Sequence, residues 1–146
     1  MSLIIDANVI SLVLHPEPEP DYRPIWTALG NNRAFLVHGG KLSEEYAKVA
    51  KISRLLMELD RKGSARKISD KDVDGMTAQV EKEQNCISND EHIIALARVA
   101  KVRLLCSEDK ELHADFTNPD ILKPAGKVYR KKEHSHLIRK YCKKRK

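Results

Sequence analysis

Short apolar runs alternate along this chain with longer stretches whose apolar residues recur at helical spacing. Leu3, Ile4 and Ile5 form the first run, which stops at Asp6. Residues 34–37 (Ala, Phe, Leu, Val) form a second, closed by Gly39-Gly40, and residues 102–106 a third, closed by Ser107-Glu108-Asp109. Such runs, bounded by polar residues or glycine, predict buried strands.

The segments between them predict helices. Residues 7–14 form a short helix that must end at His15-Pro16-Glu17-Pro18-Glu19-Pro20, because proline removes backbone donors and restricts its predecessor. Residues 21–29 resume as a helix with Pro24 in the first turn and Ile25, Trp26 and Leu29 on one side. The longest pattern covers residues 41–62, where Leu42, Tyr46, Val49, Ile52, Leu56 and Leu59 make one stripe that Gly63 stops. Residues 66–68 predict a short extended piece. Ser69 or Asp70 caps a helix reaching about residue 84, and Ser88 with Glu91 fits a capping box for the next helix. Residues 110–116 form a turn or two of helix, and Pro119 and Pro124 break the chain after it. Strands separated by helices predict an α/β sandwich with a parallel sheet.

Length and charge refine this picture. A chain of 146 residues suits one domain with a proper core. The net charge is +6, but residues 127–146 hold ten Lys/Arg against one acid, a net of +9, which leaves residues 1–126 near −3. The expected organisation is a slightly acidic body (1–126) and a basic tail (127–146). In the tail, Leu137, Ile138 and Tyr141 recur at helical spacing among basic residues. Such a tail suits a polyanionic partner, and also serves simply as a solvated terminus. No apolar run approaches a membrane span, and no signal peptide is expected. Cys86, Cys106 and Cys142 form neither a disulfide framework nor a zinc motif and fit a reducing, cytoplasmic setting.

Candidate chemistry rests on carboxylates. In a parallel sheet, Asp6 and Asp109 stand at the carboxyl edge, where ligands bind in open α/β sheets. An acid after a strand also commonly caps the next helix. Asp90 aligns with Ile93, Ile94 and Ala97 on a packed helix face, where an acid needs a neutralising partner or acts as a cap. On the long helical stripe, which centres at about 340° from Leu42, Glu45 falls near about 300° and Glu44 near about 200°, so Glu45 faces inward. Crowded carboxylates repel one another without a cation. Their hard oxygens suit Mg²⁺ or Mn²⁺, which activate a nucleophile and neutralise charge in phosphodiester cleavage.

Four blocks together resemble the PIN-domain ribonuclease family: Ile4-Ile5-Asp6-Ala7-Asn8, Leu42-Ser43-Glu44-Glu45-Tyr46, Asn89-Asp90-Glu91-His92-Ile93-Ile94, and Leu104-Leu105-Cys106-Ser107-Glu108-Asp109. The resemblance spans roughly residues 2 to 116. It implies a three-layer α/β/α sandwich and Mg²⁺- or Mn²⁺-dependent endoribonuclease activity. Asp6, Glu45, Asp90 and Asp109 match the family's acidic, metal-binding quartet, Asn8 and Ser107 match residues that support it, and Asp115 is a further candidate acid. In size the chain resembles the VapC-type members, many of them toxins of toxin–antitoxin pairs and often dimers. That implies an antitoxin partner and a homodimer. The Pro-Glu-Pro loop and the basic tail depart from the pattern.

In the tail, Lys131, Lys132, Arg139, Lys140, Lys143 and Lys144 are the candidate nucleic-acid contacts. Two further readings remain open: a non-catalytic RNA-binding or scaffold protein, and a phosphohydrolase acting on small phosphoesters. The latter's expected Asp-x-Asp is absent, because Asn8 holds the second position. His92 reads as a helix-surface residue, His134 and His136 as part of the polar tail, and Cys106 as a small buried hydrophobe.

Overall fold

The structure is a computed structural model that describes residues 2–141. Cys142, Lys143 and Lys144 lie outside the described residues. Five strands form one parallel sheet: β1 (Ser2–Ile5), β2 (Phe35–Gly39), β3 (Ala65–Ile68), β4 (Leu104–Cys106) and β5 (Lys127–Tyr129), in the order β3-β2-β1-β4-β5. The helices are α1 (Ile10–Val13), α2 (Arg23–Gly30), α3 (Lys41–Ala47), α4 (Ile52–Lys62), α5 (Asp70–Glu83), α6 (Glu91–Ala100), α7 (Lys110–Phe116) and α8 (Ser135–Tyr141).

The order explains where a site can form. From β1 the chain adds strands outward to β3, then returns past β1 to β4 and β5. Right-handed crossovers place the helices of these two halves on opposite faces. α5 and α6 pack on each other and α6 on β2, while α2 packs on α8 and α8 on β4 and β5. The reversal lies between β1 and β4. In open α/β sheets the crevice that binds ligands lies at the carboxyl ends of the strands beside such a reversal. β1 is apolar because both its faces are covered: Leu3, Ile4 and Ile5 are fully buried, as are Leu104, Leu105 and Cys106 of β4.

Two sequence expectations change. The 41–62 stripe is two helices, α3 and α4, joined by a turn in which Lys51 takes the left-handed conformation at φ 69°. No glycine or proline announces this break, and a left-handed non-glycine costs roughly 1–2 kcal/mol. Tertiary packing offsets it: Leu42 and Tyr46 bury from the first segment, which packs on β2 and α6, and Ile52 and Leu59 from the second, which packs on β3. The second change concerns the tail. Lys127–Tyr129 pairs with β4 as the fifth strand, so the basic segment begins inside the sheet rather than after the domain. Lys127 is exposed and Val128 half-buried, with only Tyr129 buried, which is why three residues at a sheet edge do not read as a buried run. The predicted amphipathic helix forms as α8 and buries Ile138 against the body.

Glycine is required where β2 turns into α3. Gly40 sits at φ 58°, and a Cβ there would meet Val73 Cγ1 at 2.8 Å. Its N–H donates to Asp70 Oδ1 at 2.9 Å, which ties the start of α3 to the start of α5. Ser69, the alternative to Asp70, is the residue that caps α5. Among the described residues, no helix is long and apolar enough to cross a membrane.

Candidate active site

Asp6 leaves the buried end of β1 and is itself only 7% exposed. Its backbone N–H continues the ladder to Cys106 O at 2.9 Å, which fixes where its carboxylate stands. Ser107, 1% exposed, follows β4. Its hydroxyl donates to Asp6 Oδ2 at 2.8 Å and accepts from the Asp109 N–H at 3.0 Å. One buried hydroxyl therefore ties the ends of the two strands that flank the crevice. Asn8 supports Asp6 too, through its backbone N–H, while the Asn8 residue is exposed.

Asp109 and Asp90 both occupy helix N-cap positions, yet they use them differently. Asp109 caps α7: its Oδ1 accepts from the N–H groups of Glu111 at 3.0 Å and Leu112 at 3.3 Å. Asp90 stands at the N-cap of α6 without making a side-chain cap bond. Its carboxyl group instead meets Asp109. The expected Ser88–Glu91 capping box does not form. Ser88 is held by Asp115, and its hydroxyl accepts a long 3.4 Å bond from the Asp90 N–H.

Glu45 comes from α3, with its side chain 31% exposed, while Glu44 is exposed. Two contacts place it. Tyr46, fully buried, donates its hydroxyl to the carbonyl of Ile5, the residue before Asp6, and so locks α3 against the end of β1. His92 Nε2 lies 2.8 Å from Glu45 Oε1. His92 is 3% exposed and faces the site rather than the surface, contrary to the sequence expectation. On α6 the buried face takes in Ile93, Ile94, Ala95, Leu96 and Ala97 as well, so no polar side is left there for a surface histidine. The apolar residues Ala95 and Leu96, three and four positions on, were the signal that could have placed it.

The electrostatics follow from this crowding. Burial raises the Asp6 carboxyl above its ordinary range, with Glu45 adding to the effect and the Ser107 and Asn8 hydrogen bonds opposing it. Asp90 is pushed up to about 7, first by burial, then by the charge of Asp6 and by its side-chain contact with Asp109. The charges of Asp6, Glu45 and Asp109 thus bear on Asp90, and that of Glu45 on Asp6, at one edge of the sheet. Among the described residues, no three His, Cys, Asp or Glu groups are drawn together as a preformed metal cage. An open set of carboxylates still fits Mg²⁺ or Mn²⁺: Mg²⁺ keeps several waters and needs only one or two protein carboxylates. An acid held up near 7 by burial and by neighbouring charge is also the group a cation would relieve.

Asp115 lies outside this group. It is 2% exposed, and its carboxylate accepts from the Ile87 N–H at 3.0 Å, the Ser88 N–H at 2.9 Å and the Ser88 hydroxyl at 2.6 Å. It pins the loop that delivers Asp90, and the hydrogen bonds it accepts all run to that loop. The basic tail divides as well. Lys131 stands at the carboxyl edge, near Glu108. Lys132 and Arg139 line a separate groove of about 690 Å³ between α2 and α8, with Arg23 and Arg33. The Lys140 ammonium lies 5.5 Å from the centre of the Tyr141 ring.

No protein-family model matches the chain, and no curated protein matches it in sequence. Solved structures are similar to it, two of them as follows. One is the crystal structure of VapBC2 from Rickettsia felis bound to a DNA fragment from their promoter: 14% identity, TM-score 0.50, covering 90% of this chain and 99% of that one. The other is the crystal structure of FitAcB from Neisseria gonorrhoeae: 19% identity, TM-score 0.44, covering 87% and 96%. The likeness to the first extends over nearly the whole of both chains and shows that the two share their α/β fold with its central parallel sheet.

Proposed function

We propose that this protein is a metal-dependent endoribonuclease of PIN type, acting as the toxin of a toxin–antitoxin pair. The observation that carries the reading is the approach of Asp6, Glu45 and Asp109 to Asp90 at the switch point of a parallel sheet, where burial and then the charge of these neighbours lift Asp90 to about 7. Mg²⁺ or Mn²⁺ bound among them would supply charge neutralisation and activation of a water nucleophile. The chain's own residues do the positioning. Ser107 holds the Asp6 carboxylate in line with Asp109, His92 and Tyr46 hold Glu45 over the end of β1, and Asp115 holds the loop that presents Asp90. The fold shared with a chain of a VapBC2 assembly supports the toxin assignment and an antitoxin as partner.

The test is cleavage of an RNA oligonucleotide with Mg²⁺ or Mn²⁺, with excess EDTA and the Asp6→Asn variant as controls. Metal-dependent cutting that Asp6→Asn abolishes is the expected result. Full activity of that variant, or full activity in EDTA, would overturn the assignment. RNA binding without any turnover would favour the non-catalytic alternative.

A further inference from the structure

We infer that the cleft at the carboxyl end of β5, between Glu108 and residues 130–134, is a ribose-phosphate subsite that holds the RNA backbone beside the four carboxylates. The inference rests on the ribonuclease reading above, but its cations come from the basic segment, beyond the stretch that resembles the family.

The sheet register brings these residues to the site. Cys106 pairs with Tyr129, so β4 and β5 end level with one another. Ser107-Glu108-Asp109 and Arg130-Lys131 therefore leave the sheet side by side at its carboxyl edge. Between them lies a cleft of about 550 Å³, lined by Asp21, Glu108, Arg130, Lys131 and His134. That volume falls in the usual range for small-ligand sites.

The lining is organised rather than merely charged. Tyr22 donates its hydroxyl to Glu108 Oε1 at 2.8 Å. The backbone N–H of Lys132 donates to Asp21 Oδ1 at 3.3 Å, and the Tyr129 hydroxyl donates to the Asp21 carbonyl at 2.6 Å. The Arg130 N–H donates to His134 Nδ1 at 3.0 Å. That bond occupies Nδ1 as an acceptor and leaves Nε2–H as a donor. The Tyr129 ring meets the His134 ring edge-on at 6.2 Å and lies tilted against Tyr22 at 6.4 Å, so His134 is packed against a tyrosine pair. Arg130 and Lys131 take no part in the ion pairs among the described residues.

The mixture of charges selects the ligand class. Glu108 and Asp21 would oppose a bare anion. A ribose-phosphate unit satisfies both halves: its phosphate oxygens accept from Arg130, Lys131 and His134, and its 2′-hydroxyl donates to Glu108. The 2′-hydroxyl is also the group by which a protein tells RNA from DNA at a given position. In this arrangement the cations supply affinity and Glu108 supplies the preference for RNA.

The test measures binding apart from cleavage. In an Asp6→Asn background, fluorescence anisotropy follows a single-stranded RNA oligonucleotide and its DNA counterpart across a salt series. Arg130→Ala with Lys131→Ala should weaken RNA binding by about tenfold and reduce the slope of log K against log salt, by about 0.7 for each phosphate no longer neutralised. Glu108→Gln removes a charge that opposes phosphate, so it should strengthen DNA binding, and the loss of its acceptor for the 2′-hydroxyl should narrow the preference for RNA. All three positions are exposed, and melting curves check that the variants fold. Unchanged affinity, slope and preference in these variants would overturn the subsite. If the unsubstituted protein still cleaves RNA in that case, the ribonuclease reading survives alone. If it neither binds nor cleaves RNA, both fall.

Discussion

Ser107 and Asp6, 101 residues apart in sequence, are joined by a 2.8 Å hydrogen bond at the carboxyl edge of the sheet. The same hydroxyl accepts the Asp109 N–H, so one small side chain sets the spacing of two candidate metal ligands. Ser107→Ala should leave a buried carboxylate short of a donor, at a cost of about 1–3 kcal/mol in stability. Cleavage should fall more steeply than stability, because Asp6 and Asp109 lose their common reference. Denaturant unfolding and single-turnover cleavage measure the two effects separately. A loss of stability with cleavage intact would mean that the bond is structural only.

Asp90 gives a pH dependence with a definite sign. Its folded-state pKa stands near 7, above the unfolded value of about 3.9. Its contribution to stability is therefore fully present below about pH 4 and is lost as pH rises through about 7. Without divalent cations, the component of the melting temperature due to Asp90 should fall between pH 5 and pH 8. Asp90→Asn should flatten that slope. Mg²⁺ or Mn²⁺ should stabilise the protein more at pH 8 than at pH 5.5, because the ion favours the charged carboxylates. Differential scanning fluorimetry across pH, with and without metal, reads all three; equal stabilisation at both pH values would count against metal binding by these acids.

His92 is buried against Glu45, so its removal should act through that partner. His92→Ala opens a cavity and frees Glu45, and both folding and cleavage should suffer. His92→Gln keeps a hydrogen-bond donor of similar reach and should recover most of the cleavage that His92→Ala forfeits. Comparing kcat for the pair at matched folded fractions separates positioning from packing. Equal kcat in both variants would show that the bond to Glu45 does not matter to turnover.

Asp115 should behave as a structural acid. Asp115→Ala strands the Ile87 and Ser88 N–H groups and the Ser88 hydroxyl, at a cost of about 2–4 kcal/mol. At temperatures where the variant is folded, metal affinity should change far less than it does in Asp6→Asn. Calorimetric titration with Mn²⁺ checks this, and a loss of affinity as large as that in Asp6→Asn would place Asp115 in the site after all.

The sequence by itself determined the strands β1, β2 and β4, the helices around them and the acids at their ends. Apolar runs and helical stripes are local signals, and parallel connectivity follows from strands separated by helices. It also singled out Glu45 over Glu44, since helical phase alone decides which of two neighbours turns inward. Other features depended on partners distant in sequence. The break at Lys51 carries no local marker and exists because α3 and α4 bury against different parts of the body. β5 reads as part of a basic tail because a three-residue edge strand has too few buried positions to signal itself. His92 reads as a surface residue and Asp115 as a further acid of the site until the fold supplies Glu45 to one and the loop before Asp90 to the other. Asp6 shows the division most plainly. Its position after a strand could be read from the chain, but a carboxylate there is equally a helix cap until β4 pairs beside β1 and brings up Ser107 and Asp109. A hydrogen bond spanning 101 residues has no local sequence signature, so only the pairing of the strands could decide it.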